Sequence, residues 1–149
     1  MSNRLRYCRL APRTVQATGR IGLVGIVVVS HSADIARGVA DLASQMAGPE
    51  VRIEIAGGGP DGLLGTDDSL VRDAIRRANQ GDGVVIFGDL GSAILTIRHV
   101  LERQSNGHAR LVDAPLVEGA VAAAVMASTG SPLPAVIAAA EEARGATKL

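Results

Sequence analysis

An α/β fold is predicted: a doubly wound, mostly parallel sheet in strand order 2-1-3-4 with helices on both faces. Three observations predict it. Short β-branched runs alternate with segments of helical period along residues 21–149, in the order β-α-β-α-β-α-β-α. Two of those runs, residues 23–29 and 83–87, are apolar without alternation, as strands buried on both faces are, so they belong at the centre. Right-handed crossovers between parallel strands then leave 2-1-3-4, the order of flavodoxin-like sheets.

Residues 1–20 hold Arg4, Arg6, Arg9, Arg13 and Arg20 and no acidic residue. They read as a flexible basic extension ahead of a folded domain at 21–149. Strand one is Leu23-Val24-Gly25-Ile26-Val27-Val28-Val29. In the helix expected at 33–47, Ile35, Val39, Leu42 and Met46 recur at helical spacing, and Gly48-Pro49 ends it. Val51, Ile53 and Ile55 alternate with Arg52 and Glu54, which predicts a strand with one wetter face. A glycine-rich loop follows at 57–65. Thr66 is placed to cap the next helix, whose first turn carries Asp67 and Asp68. Leu70, Val71, Ala74, Ile75 and Ala78 make its apolar stripe. Strand three is Gly83-Val84-Val85-Ile86-Phe87, and Ser92 is placed to cap a helix running to Gln104. A short strand at 109–112 and two Ala-rich helices at 116–128 and 132–144 complete the chain.

Composition excludes several functions. Lys and Arg total 15, as do Asp and Glu, so net charge is zero, and aromatic residues are only 1%. Single-stranded nucleic acid calls for stacking platforms and positive charge, so no nucleic-acid partner is expected. The apolar run at 21–29 is strand-sized, far short of a bilayer span, so no membrane association and a cytoplasmic location are expected. A single cysteine, Cys8, excludes an internal disulfide framework and a Cys-based zinc site. His31, His99 and His108 lack metal-ligand spacing, and no metal or cofactor is expected. The loop at 57–65 has no Gly-Lys-Ser/Thr, because Lys148 is the only lysine. The turn after strand one holds His31 where a dinucleotide fingerprint would need glycines. Neither Ser30 nor Ser32 sits in a G-x-S-x-G elbow. His99 and His108 are expected in solvent.

The predicted topology places the switch point between the carboxyl ends of strands one and three. Ser30-His31-Ser32 follows the first, and Gly88-Asp89-Leu90-Gly91-Ser92 follows the third. An Asp beside a His holds one ring N–H and leaves the other nitrogen's lone pair free as a nucleophile. Helices begin near Ser32, Thr66 and Ser92, and their free N–H groups favour an anion, with Gly91 letting the backbone come close. The expected chemistry is phosphoryl transfer through a phosphohistidine. His31 is the acceptor, Asp89 orients it, and Ser32, Thr66, Gly91 and Ser92 line the phosphate.

Three stretches together carry a resemblance. Val28-Val29-Ser30-His31-Ser32, Gly65-Thr66-Asp67 and Gly88-Asp89-Leu90-Gly91-Ser92-Ala93 resemble the mannose-class enzyme IIA domain of the phosphoenolpyruvate-dependent phosphotransferase system. Within that class the chain is most similar to the phosphotransfer subunits of phosphoenolpyruvate-dependent dihydroxyacetone kinases. The resemblance implies that His31 takes a phosphoryl group from the phosphocarrier HPr, itself charged by enzyme I. It implies onward transfer to ADP held by the nucleotide-binding subunit of the kinase, with a second subunit presenting dihydroxyacetone. It also implies a homodimer. HPr-like and enzyme I-like domains, fused in some members, are expected here as separate proteins. Two alternatives stay open: an enzyme IIA for a mannose-type sugar, told apart by its neighbouring genes, and a non-catalytic anion-binding regulatory domain, told apart by whether His31 is phosphorylated.

Overall fold

The computed structural model describes residues 22–104 and 107–149; the basic extension expected at 1–20 lies outside the described residues. The elements are β1 (Gly25–Ser30), α1 (Ala33–Ala47), β2 (Ile53–Gly57), a 3-10 turn at Pro60–Gly62, α2 (Asp68–Ala78), β3 (Val84–Gly88), α3 (Gly91–Arg103), β4 (Ala109–Leu111), α4 (Leu116–Ser128), α5 (Leu133–Glu142) and a last 3-10 turn at Ala143–Gly145. The sheet order is β2-β1-β3-β4, and every pairing is parallel, as the sequence predicts.

Register sorts the core into two layers. Ile26 lies opposite Val85 and Val28 opposite Phe87, all facing the layer of α1, α4 and α5. Val27 lies opposite Ile86, facing the layer of α2 and α3. The period of two along each central strand therefore feeds both layers with fully buried apolar side chains, and Ser30 at the end of β1 is the one polar residue in either strand.

The first layer is built from small side chains. Ala120, Ala123, Ala124 and Ala127 of α4 are fully buried, and so are Ala36 and Ala43 of α1. A Cβ placed on Gly119 would come within 3.0 Å of the Phe87 ring and 2.9 Å of the Ala114 side chain. The chain's single Phe thus seats directly on the α4 backbone.

Four local expectations are corrected. In α1 the buried face is Ala36, Val39, Ala40 and Ala43, while Ile35, Leu42 and Met46 are about half exposed. Alanines let α1 close on the sheet and on the alanines of α4, and the larger residues are turned to the flank. Leu70 is likewise exposed, beside the buried Val71, Ala74, Ile75 and Ala78. The cap of α2 is Asp67 and not Thr66: its carboxylate accepts from the amides of Ser69 and Leu70, as an N-cap does. Ser92 does not cap α3, which starts at Gly91 after Leu90, so Ser92 lies inside the first turn. His99 and His108 are exposed, as expected.

Candidate functional site

β1 and β3 lie side by side and parallel, with Val29 opposite Gly88, so both chains leave the sheet at one edge. That edge carries the loop Ser30-His31-Ser32 and the loop Asp89-Leu90-Gly91. His31 Nδ1 lies 2.8 Å from Asp89 Oδ1, with the two side chains 23% and 13% exposed. Asp89 accepts on both oxygens. Oδ1 also takes the Leu90 amide at 2.7 Å, while Oδ2 takes the Ser30 hydroxyl at 2.7 Å and the His31 amide at 2.9 Å. Burial pushes the Asp89 carboxyl up, but the hydrogen bonds from the Ser30 hydroxyl and from His31 and Leu90 outweigh it, and the group is held below the ordinary carboxylate value.

An ionised carboxylate only accepts, so the imidazole proton sits on Nδ1 and the lone pair on Nε2. Nε2 faces outward to the Ser92 hydroxyl in the first turn of α3. No side chain caps the start of α3, so its first amides stay available to an anion. A Cβ on Gly91 would meet nothing within 4 Å, which leaves this approach open.

The other predicted residues fall around this centre. Ser32 caps α1: its hydroxyl accepts from the Ile35 amide at 3.4 Å, and its own amide donates to Ser30 Oγ at 3.1 Å. The glycine-rich loop comes to the site through Gly65, whose amide donates to the His31 carbonyl at 3.0 Å. Thr66 beside it hydrogen-bonds Thr96 of α3 at 3.0 Å, tying the start of α2 to α3. Because Asp67 and Asp68 occupy the start of α2, that helix end is less suited to an anion than the start of α3. Sequence reasoning passed over Ser30, which is fully buried and bonded to Asp89; its position at the end of a fully apolar run was the available signal.

A cleft of about 690 Å³ opens beside Asp89, Leu90 and Gly91 and runs along β4 past Arg98 and Arg110. Neither His31 nor Ser92 lines it. Leu63, Leu64 and Leu90, on the loops that flank His31, are 69%, 80% and 64% exposed. Among the described residues no group of three His, Cys, Asp or Glu could hold a metal ion, and no helix is long and apolar enough to cross a membrane.

Comparison with known proteins agrees with the fold and narrows the family. A solved structure of a protein of unknown function superposes with a TM-score of 0.73 at 38% identity, covering 85% of this chain and 97% of that one. The PEP-dependent dihydroxyacetone kinase 1 phosphoryl donor subunit DhaM of Listeria innocua serovar 6a is 45% identical over 100 residues, covering 67% of this chain and 78% of that subunit. The corresponding subunit of kinase 2 from the same organism is 40% identical over 106 residues, covering 69% and 85%. The family model of the PTS system fructose IIA component, EIIA-man, matches residues 25–137. The chain therefore belongs to the EIIA-man family of phosphotransferase-system IIA components.

Proposed function

We propose that this chain is a phosphohistidine carrier that serves a dihydroxyacetone kinase. One observation carries the reading: Asp89 holds the Nδ1–H of His31, which turns the Nε2 lone pair outward to the Ser92 hydroxyl at the open start of α3. Ser92 rotates off the lone pair as Nε2 attacks the phosphorus of phosphorylated HPr. The new N–P bond forms as the bond in HPr breaks, and the electron pair returns to the HPr imidazole. Asp89 stabilises the positive charge that develops on the ring. Gly91, Ser92, Ser32 and the Thr66 backbone line the phosphoryl group. In the second step an oxygen of the ADP β-phosphate, held on the nucleotide-binding subunit, attacks the same phosphorus. The N–P bond breaks and His31 is restored.

Two further features favour a protein partner over a small substrate. Nε2 faces the surface and not the cleft, and exposed leucines flank it, as an apolar contact area would. The relatives named as phosphoryl donor subunits point to the kinase rather than a sugar transporter as the acceptor. In this reading residues 21–149 are the working domain, cytoplasmic and homodimeric; sedimentation velocity measures the dimer.

Incubation with labelled phosphoenolpyruvate, enzyme I and HPr tests the reading. Acid-labile, base-stable label is expected on the wild type, none is expected on His31→Ala, and the nucleotide-binding subunit with ADP should discharge it. Label retained by His31→Ala would overturn it.

A further inference from the structure

We propose that Ser30 is a positioning residue for His31, its hydroxyl locking the Asp89 carboxylate in the orientation that keeps the proton on Nδ1. This rests on the reading of His31 as the phosphoryl acceptor.

Ser30 is the one fully buried polar side chain among the described residues. It ends a strand whose other members from Ile26 to Val29 are all apolar and all buried. A hydroxyl in such a place is costly unless both its donor and its acceptor are used. Here both are. The Ser32 amide donates to Ser30 Oγ at 3.1 Å, and an amide can only donate, so the hydroxyl proton is left for Asp89 Oδ2 at 2.7 Å. The direction of the bond is fixed by its neighbours. The strand itself does not need the hydroxyl, because the Ser30 carbonyl already accepts from the Gly58 amide at 3.1 Å and the residue keeps its register opposite Gly57.

The consequence falls on the ring. With Ser30 in place, Oδ2 is taken by the hydroxyl and the His31 amide, and Oδ1 is presented to Nδ1. Without the hydroxyl, Oδ2 keeps one partner and the carboxylate can turn. The imidazole then samples both tautomers, and in one of them Nε2 carries a proton and cannot attack. The chain Ser32 amide, Ser30 hydroxyl, Asp89, His31 also fastens the start of α1 to the end of β3, so the reacting ring is held from two elements. Ser30 touches neither the surface nor Nε2; its hydroxyl meets Asp89 and the Ser32 amide, and of these two only Asp89 holds the ring, so the tautomer reports that contact.

Ser30→Ala and Ser30→Cys test this. The thiol fills the site with a somewhat larger atom but donates weakly. The ¹⁵N spectrum of His31 in the full chain reports the tautomer with no phosphoryl donor present. The wild type should show Nδ1–H, and both variants a mixture. Transfer from phosphorylated HPr should slow about tenfold in both, the scale of one hydrogen bond to a charged group, with KM for HPr unchanged. If Ser30→Ala does not fold, Ser30→Cys makes the same comparison. Wild-type tautomer ratios in the folded variants would overturn the proposal, and so would a wild-type rate in Ser30→Cys, since volume alone would then suffice. Failure of the carrier reading looks different: no label on the wild type, or label on His31→Ala, whatever the tautomer.

Discussion

Asp89 grips the His31 ring at 2.8 Å from 58 positions away, because parallel pairing of β1 with β3 brings the two strand ends together. Every lone-pair direction of the carboxylate is spoken for, so the ring has one orientation and one tautomer. In Asp89→Asn the NH2, whichever oxygen it replaces, meets a backbone amide that only donates, that of Leu90 or that of His31, and an NH2 facing Nδ1 favours the wrong ring tautomer. Circular dichroism should show the fold retained, urea unfolding should show a loss of about 1–3 kcal/mol, and single-turnover transfer from HPr should slow about 10²- to 10⁴-fold. Unchanged transfer would remove Asp89 from the mechanism.

Ser92 is the side chain that meets Nε2. In the proposed transfer its hydroxyl follows the phosphoryl group and donates to it as charge builds. Ser92→Ala removes one preorganised donor, and the rate of label transfer to His31 should fall about a hundredfold. Stability should hardly change, because Ser92 is exposed and does not cap α3. A wild-type rate with the variant would place the phosphoryl group away from α3.

Acid sensitivity follows from Asp89. Its folded pKa lies below its unfolded value, so the stability it contributes is fully present above about pH 4 and is lost as the pH falls through the lower folded value. Urea midpoints measured from pH 6 downward should therefore drop below about pH 4 in the wild type. The slope in Asp89→Asn should be shallower by up to about 1.4 kcal/mol per pH unit, one proton's worth. Asp67, held low by the Ser69 hydroxyl, and Glu118, held low by Lys148, remain in both proteins and cancel in the comparison. Parallel curves would mean that Asp89 gains nothing from its partners.

Packing around Phe87 makes a prediction independent of the site. Gly119→Val puts side-chain atoms where the Ala114 methyl lies 2.9 Å and the Phe87 ring 3.0 Å from a Cβ. The variant should lose about 1–3 kcal/mol in urea unfolding, while the folded protein takes label at His31 at the wild-type rate. A neutral effect would mean that α4 shifts freely on the sheet.

The sheet order was legible because the runs at 23–29 and 83–87 announce two-sided burial, and crossover handedness does the rest. The adjacency of His31 and Asp89 followed from that order. The orientation of α1 was not legible. Of Ile35, Val39, Leu42 and Met46, the large residues that carry its period, only Val39 is buried, and the small residues Ala36, Ala40 and Ala43 fill the rest of the inner face. Size and hydropathy give little contrast in a helix this rich in alanine. Thr66, Asp67 and Ser92 are all competent cap residues, and only the backbone path decides among them: Asp67 caps α2, and α3 starts early enough to turn Ser92 toward His31. Ser30 needed the register as well, since its role depends on where Asp89 Oδ2 comes to rest.

The most direct measurement is long-range ¹H–¹⁵N correlation NMR of the phosphorylated chain, which identifies the ring nitrogen that carries phosphorus. A single phosphohistidine is expected, at His31, with phosphorus on Nε2 and the proton on Nδ1. Phosphorus on Nδ1 of His31, or on any other residue, would contradict it.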